Sequence, residues 1–124
     1  MAWFPCNINS NLGGQAELLW TNPSLQSEFT AKTISLDLSE YEAIIVEFVM
    51  DITNYLYTCC KVYAERTDFD YYGGGYSDTG TSSHSRNFKV SDMGVTFRDA
   101  HRSGAKNNNY VLPYKIYGLK NKLF

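Results

Sequence analysis

A chain of 124 residues with 44% apolar and 19% charged side chains is long enough to bury one core without a metal or disulfide staple. Its 11 basic and 13 acidic residues leave a formal charge of -2, which excludes a dominant electrostatic attraction to nucleic acid or anionic lipid. Ten Tyr, seven Phe and two Trp favour strands over helices, and each buried tyrosine must also place a hydroxyl.

Residues 1–16 are rich in Asn, Gly and Ser and read as an irregular lead-in, with Trp3 and Phe4 available to anchor it. Residues 17–124 read as a single domain. Glu17-Leu-Leu-Trp-Thr21 is its first short strand, and Asn22-Pro-Ser24 turns the chain. The proline also disqualifies Asn22 as a glycosylation acceptor.

The richest segment runs from Lys32 to Met50. Ile34, Leu36 and Leu38 alternate with Thr33, Ser35 and Asp37, which is the period of a half-buried strand. After a turn near Ser39, Ala43 to Met50 is apolar on both faces except at Glu47, so a strand covered on both sides is expected. Tyr55 to Arg66 is a further extended segment. Leu56, Thr58, Cys60, Val62 and Ala64 form its core face, and Tyr55, Tyr57, Cys59, Lys61, Tyr63 and Glu65 form an amphipathic tyrosine stripe.

From Asp68 to Ser85 the chain has almost no apolar pattern and reads as a long connection, with Tyr71, Tyr72 and Tyr76 around three glycines. Arg86–Ser91 and Met93–Asp99 form a hairpin about Asp92-Met93-Gly94. His101 to Asn109 is a second polar connection. Tyr110 to Leu119 closes the chain as a strand in which Pro113 belongs at an edge, a bulge or the beginning. Seven strands and no helix predict an all-β, antiparallel β-sandwich of jelly-roll-like type.

The residues for chemistry are sparse. His84 and His101 are expected on exposed connections, and no His, Cys, Asp or Glu spacing suits a metal, so neither metal nor cofactor is expected. Ser83, His84 and Asp99 can be combined into a catalytic set on paper, but no Gly-x-Ser-x-Gly elbow accompanies them. The glycines at 73–75 lack the Lys-Ser/Thr of a phosphate loop, and a flexible loop explains them better. Glu42, Glu47, Glu65, Asp68 and Asp70 could supply a carboxylate pair only if the fold sets two at the right separation.

Cys6, Cys59 and Cys60 are odd in number, and neighbours in a strand face opposite ways, so reduced thiols are expected. No signal peptide and no membrane-spanning run is present, which points to synthesis in a cytosol. The strongest surface feature is the tyrosines: Tyr55, Tyr57, Tyr63, Tyr71, Tyr72 and Tyr76 are candidate contacts for a protein partner or a glycan. Ordinary packing suits them equally well.

Four stretches together, Glu17–Ser24, Thr33–Tyr41, Phe88–Phe97 and Asn108–Lys120 with its closing Pro113-x-Lys115-Ile-Tyr-Gly118, resemble a family of small phage and prophage tail-associated proteins. The resemblance spans most of residues 17–120. It implies a virion component of fibre-tip or baseplate type without enzymatic activity, partnered by copies of itself or by other virion proteins, with a host-surface glycan as a further partner. It supplies no catalytic residue. The tyrosine-rich stretch from Asp68 to Tyr76 and the Cys59-Cys60 pair have no counterpart in that pattern, and Met1 suits a small complete gene product rather than a fragment of a long fibre. A carbohydrate-binding module using the surface tyrosines is the alternative reading.

Overall fold

In the computed structural model the described residues are 2–4, 16–51, 59–76 and 83–122. Every regular element among them is a strand: β1 (Ala2–Phe4), β2 (Ala16–Thr21), β3 (Lys32–Ser35), β4 (Ala43–Asp51), β5 (Cys59–Ala64), β6 (Tyr71–Tyr76), β7 (Ser83–Ser91), β8 (Gly94–Arg102), β9 (Ala105–Lys106) and β10 (Tyr110–Leu119). They form two antiparallel sheets, one in the order β1-β5-β4-β10-β2 and the other in the order β3-β8-β7-β6, with β9 added beside β8. The fold is an all-β sandwich. Its jelly-roll-like feature is nested pairing, β2 beside β10 in the first sheet and β3 beside β8 in the second, while β4–β5 and β6–β7–β8–β9 remain hairpins within their sheets.

Apolar residues on both faces of β4 have two destinations. Ile44, Val46 and Phe48 enter the main core between the sheets, where Phe48 meets Phe88 of β7 at 5.7 Å and Phe97 of β8 at 6.1 Å between ring centroids. Ala43 and Ile45 turn to the outer face of the first sheet and pack with Tyr63, Tyr117 and Leu119. Cys60, Val62 and Ala64 of β5 all lie in the main core, as the alternation predicts.

Three expectations change. Ala2–Phe4 is not part of an irregular lead-in: it pairs with β5, from Ala2 opposite Tyr63 to Phe4 opposite Lys61. The stretch from Asp68 to Ser85 is not one long connection, because Tyr71–Tyr76 is a full strand laddered to β7. The glycines that suggested a loop are there for close approach. A Cβ on Gly73 would lie 2.7 Å from the Phe48 ring, and one on Gly74 would collide with the carbonyl oxygen of His84. His101 to Asn109 likewise contains β9, reached by a two-residue turn in which Ser103 and Gly104 have φ of 51° and 85°. Two successive positive φ values are the hairpin turn that matches strand twist. Pro113 marks a bulge, since the β10–β4 register shifts between Pro113 and Lys115.

Candidate functional site

Among the described side chains, the candidate tyrosines Tyr63, Tyr71 and Tyr72 do not converge. Tyr63 is buried on the outer face of the first sheet beside Tyr117. Tyr71 points inward, stacks on Phe88 at 5.7 Å, and accepts the Glu65 backbone N–H on its hydroxyl at 3.0 Å. Tyr72, next along β6, points outward and is 41% exposed. Tyr76 ends β6 opposite Ser83, and Tyr55 and Tyr57 lie outside the described residues.

The residues suggested for catalysis disperse too. His84 is not on a connection but buried in β7, its ring 4.6 Å from that of Tyr110, and His101 sits exposed in β8. The Asp99 carboxylate accepts the Ala31 N–H at 3.0 Å and the Asn108 side-chain amide at 2.9 Å, and these bonds, the amide first, hold its pKa below the usual value. Glu47 pairs with Lys61 at 3.2 Å, Glu65 with Lys122 at 2.9 Å and Asp70 with Arg98 at 3.0 Å. Carboxylates neutralised by fixed cations make poor general acids. Burial pushes the Cys60 thiol up to about 12, so it is a core side chain and a poor nucleophile. Among the described residues no group of three His, Cys, Asp or Glu side chains could hold a metal ion, and no helix is long and apolar enough to cross a membrane.

Two surfaces remain on which the fold fixes side chains in defined positions. One is an end of the sandwich, where three connections meet. Arg66 donates from Nη1 to the carbonyl oxygens of Leu38 at 2.9 Å and Tyr41 at 2.7 Å, while its Nε pairs with Asp92 at 2.9 Å. The backbone adds two bonds between the same connections, Leu36 N–H to Met93 O at 3.0 Å and Leu38 N–H to Asp92 O at 2.8 Å. One guanidinium thus ties the 36–42 crossover to the β7–β8 hairpin tip. Outward from this clamp stands Met93, 80% exposed, in a shallow groove it lines with Ser35, Leu36, Asp37 and Asp92; Phe69, 64% exposed, is carried by the same connection as Arg66, its ring 5.7 Å from that of Tyr71.

The other surface is the outer face of the second sheet. Ladder partners share a face, so the register maps it in rows. Tyr72 lies opposite Asn87, Gly74 opposite Ser85, Ser85 opposite His101, and His101 opposite Lys106. Further along, Lys89 faces Thr96 and Thr96 faces Thr33, their hydroxyls 2.9 Å apart. Arg98 reaches across β7 to grip both Asp70 oxygens, at 3.0 and 3.2 Å, and these hydrogen bonds raise its pKa further.

The sequence reading missed Arg66, Asn87 and Arg98. An arginine at a strand end signals nothing until the crossovers it bridges are known, and Asn87 gains its place only from the register of β6. No protein-family model, curated protein or solved structure matches the chain.

Proposed function

We propose that the protein is a non-enzymatic structural component of a phage or prophage virion. In this reading it is made in the bacterial cytoplasm, incorporated into the tail at a fibre tip or baseplate, and acts by docking onto copies of itself or onto neighbouring virion proteins. The observation that carries this reading is the clamped loop end. Arg66 spends its donors on fixing connections whose outermost side chains, Met93 and Phe69, are large, apolar and exposed. Connections held rigid lose little entropy when a partner covers them, and apolar side chains at the tip supply the area that makes covering favourable. The four-stretch resemblance supports the same class.

Mass spectrometry of purified particles from a phage or induced prophage carrying the gene tests the location, and the protein is expected among the tail components. Light scattering after size exclusion tests the docking surface. The wild type is expected to self-associate or to capture a purified tail protein, and the double substitution Met93→Asp, Phe69→Asp is expected to abolish this without changing the far-ultraviolet spectrum. Absence from the particle together with a strict monomer that captures no tail protein would overturn the proposal.

A further inference from the structure

We infer that the outer face of the second sheet carries a binding site for a neutral saccharide, centred on Tyr72. This goes beyond the assembly role and does not depend on it, since the face lies on the broad side of the sheet and the clamped connections lie at its end. The geometry begins at Gly74. It has no side chain because the β7 backbone and the Tyr72 phenol crowd the position, and the Tyr72 hydroxyl lies 3.0 Å from where a Gly74 Cβ would stand. The phenol therefore runs along the strand over the glycine instead of standing off the sheet, with 41% of the residue open to solvent. A ring laid along a sheet offers an aromatic surface at the level of its polar neighbours, where a sugar ring can rest its C–H face.

Those neighbours are the second half of the argument. Asn87, directly across from Tyr72, offers an amide with both donors and an acceptor, and Ser85, across from Gly74, offers a hydroxyl. His101 stands one strand further on. With strands about 4.8 Å apart, these groups step away from the phenol at about 5 and 10 Å, so hydroxyls on successive positions of a sugar can be met in turn. Arg98 and Asp70 border the row: bonded to each other through two bridges, they still expose part of a guanidinium and part of a carboxylate, a donor and an acceptor side by side.

The chemistry of the face selects its ligand. Among the described side chains its aromatic content is this one ring, too little to anchor a protein partner. Arg98 is neutralised by Asp70, and Lys106 lies 3.6 Å from Asp99, which removes much of the attraction a phosphate chain would need. A hexopyranose, apolar on a face and hydroxylated around its rim, fits what is left.

The test titrates the full chain, labelled with nitrogen-15, with glucose, galactose, mannose and N-acetylglucosamine, and with a short polymer of each. At least one is expected to shift the amide signals of Tyr72, Ser85, Asn87 and His101 together, saturating in the millimolar range. Tyr72→Ala should weaken that binding about tenfold or more while Tyr72→Phe keeps most of it. Asn87→Ala should weaken it severalfold, and Leu18→Ala, at an exposed position on β2 of the other sheet, should leave it unchanged. If no sugar shifts these signals, or if Tyr72→Ala binds as the wild type does, the site is not there. Self-association that persists beside a blank titration would sink this inference and leave the assembly role standing.

Discussion

Arg86 donates its Nε–H to the carbonyl oxygen of Val111 at 2.8 Å, which sets a guanidinium with no exposed surface against the backbone of a β-branched residue held at φ = 48°. A left-handed conformation is costly for valine. Arg86 helps to hold it there, since Nη2 also reaches the carbonyl of Tyr110 at 3.4 Å and Nη1 that of Arg98 at 2.6 Å, with the Phe29 ring 5.1 Å below. Burial lowers the Arg86 pKa to about 10, the nearby Asp99 working in the opposite sense.

Removing that guanidinium leaves buried carbonyl groups without their donor. Arg86→Met is expected to destabilise the fold by about 3 kcal/mol in urea unfolding, and Arg86→Lys by nearly as much, because an ammonium cannot span the same carbonyls. The strain at Val111 predicts an inverted order at that position: Val111→Gly should be more stable than Val111→Ala by about 1 kcal/mol, since only glycine is at ease at positive φ. Alanine above glycine would show that the strain is not there.

The outer face of the first sheet holds Glu47 between two cations in register, Lys61 of β5 on one side and Lys115 of β10 on the other, with the Lys61 contact at 3.2 Å and both partners nearly inaccessible. Glu47→Gln strands Lys61 as a buried cation and should cost about 3 kcal/mol. Glu47→Leu combined with Lys61→Met should recover most of that loss. Equal midpoints for Glu47→Gln and wild type in thermal unfolding would contradict a buried pair.

Gly73 lies against Phe48, and β6 can pass there only because the position lacks a side chain. Gly73→Ala is expected to cost about 2 kcal/mol through overpacking, and Phe48→Leu in the same chain should recover part of it. Purely additive losses in the double-mutant cycle would mean the two do not touch.

Tyr41 donates its hydroxyl to Glu17 at 2.7 Å, and this bond, followed by burial and by the charges of Glu17 and Glu40, raises its pKa to about 12. Folded above its unfolded value of about 10, the phenol contributes stability that is complete below pH 10 and is lost as pH climbs through 12. The melting temperature of the wild type should therefore fall more steeply than that of Tyr41→Phe between pH 10 and 12. Parallel curves would remove the linkage.

Much of the architecture was legible in the chain because strand alternation is a local property. The residues of Tyr110–Leu119 themselves set the bounds of β10, the unbroken apolar run of β4 implies cover on both faces, and Asp92-Met93 marks its hairpin by its turn residues. Ten residues of β10 reveal their period without reference to any neighbour. β6 did not, because its glycines are dictated by Phe48 and His84, which are remote in sequence. His84 also looked exposed, since a histidine among serines carries no trace of the Tyr110 ring that covers it.

The sequence by itself determined that this chain would be strands, which of their faces would be apolar, and that charge would not drive its contacts. The tertiary structure alone decided which of the described tyrosines are core and which are surface, that Arg66 clamps one end, and that Tyr72 lies across from Asn87. The physical reason is range. Alternation is fixed by the geometry of successive residues, whereas register, crossover and close approach depend on partners dozens of residues away, which no local pattern encodes.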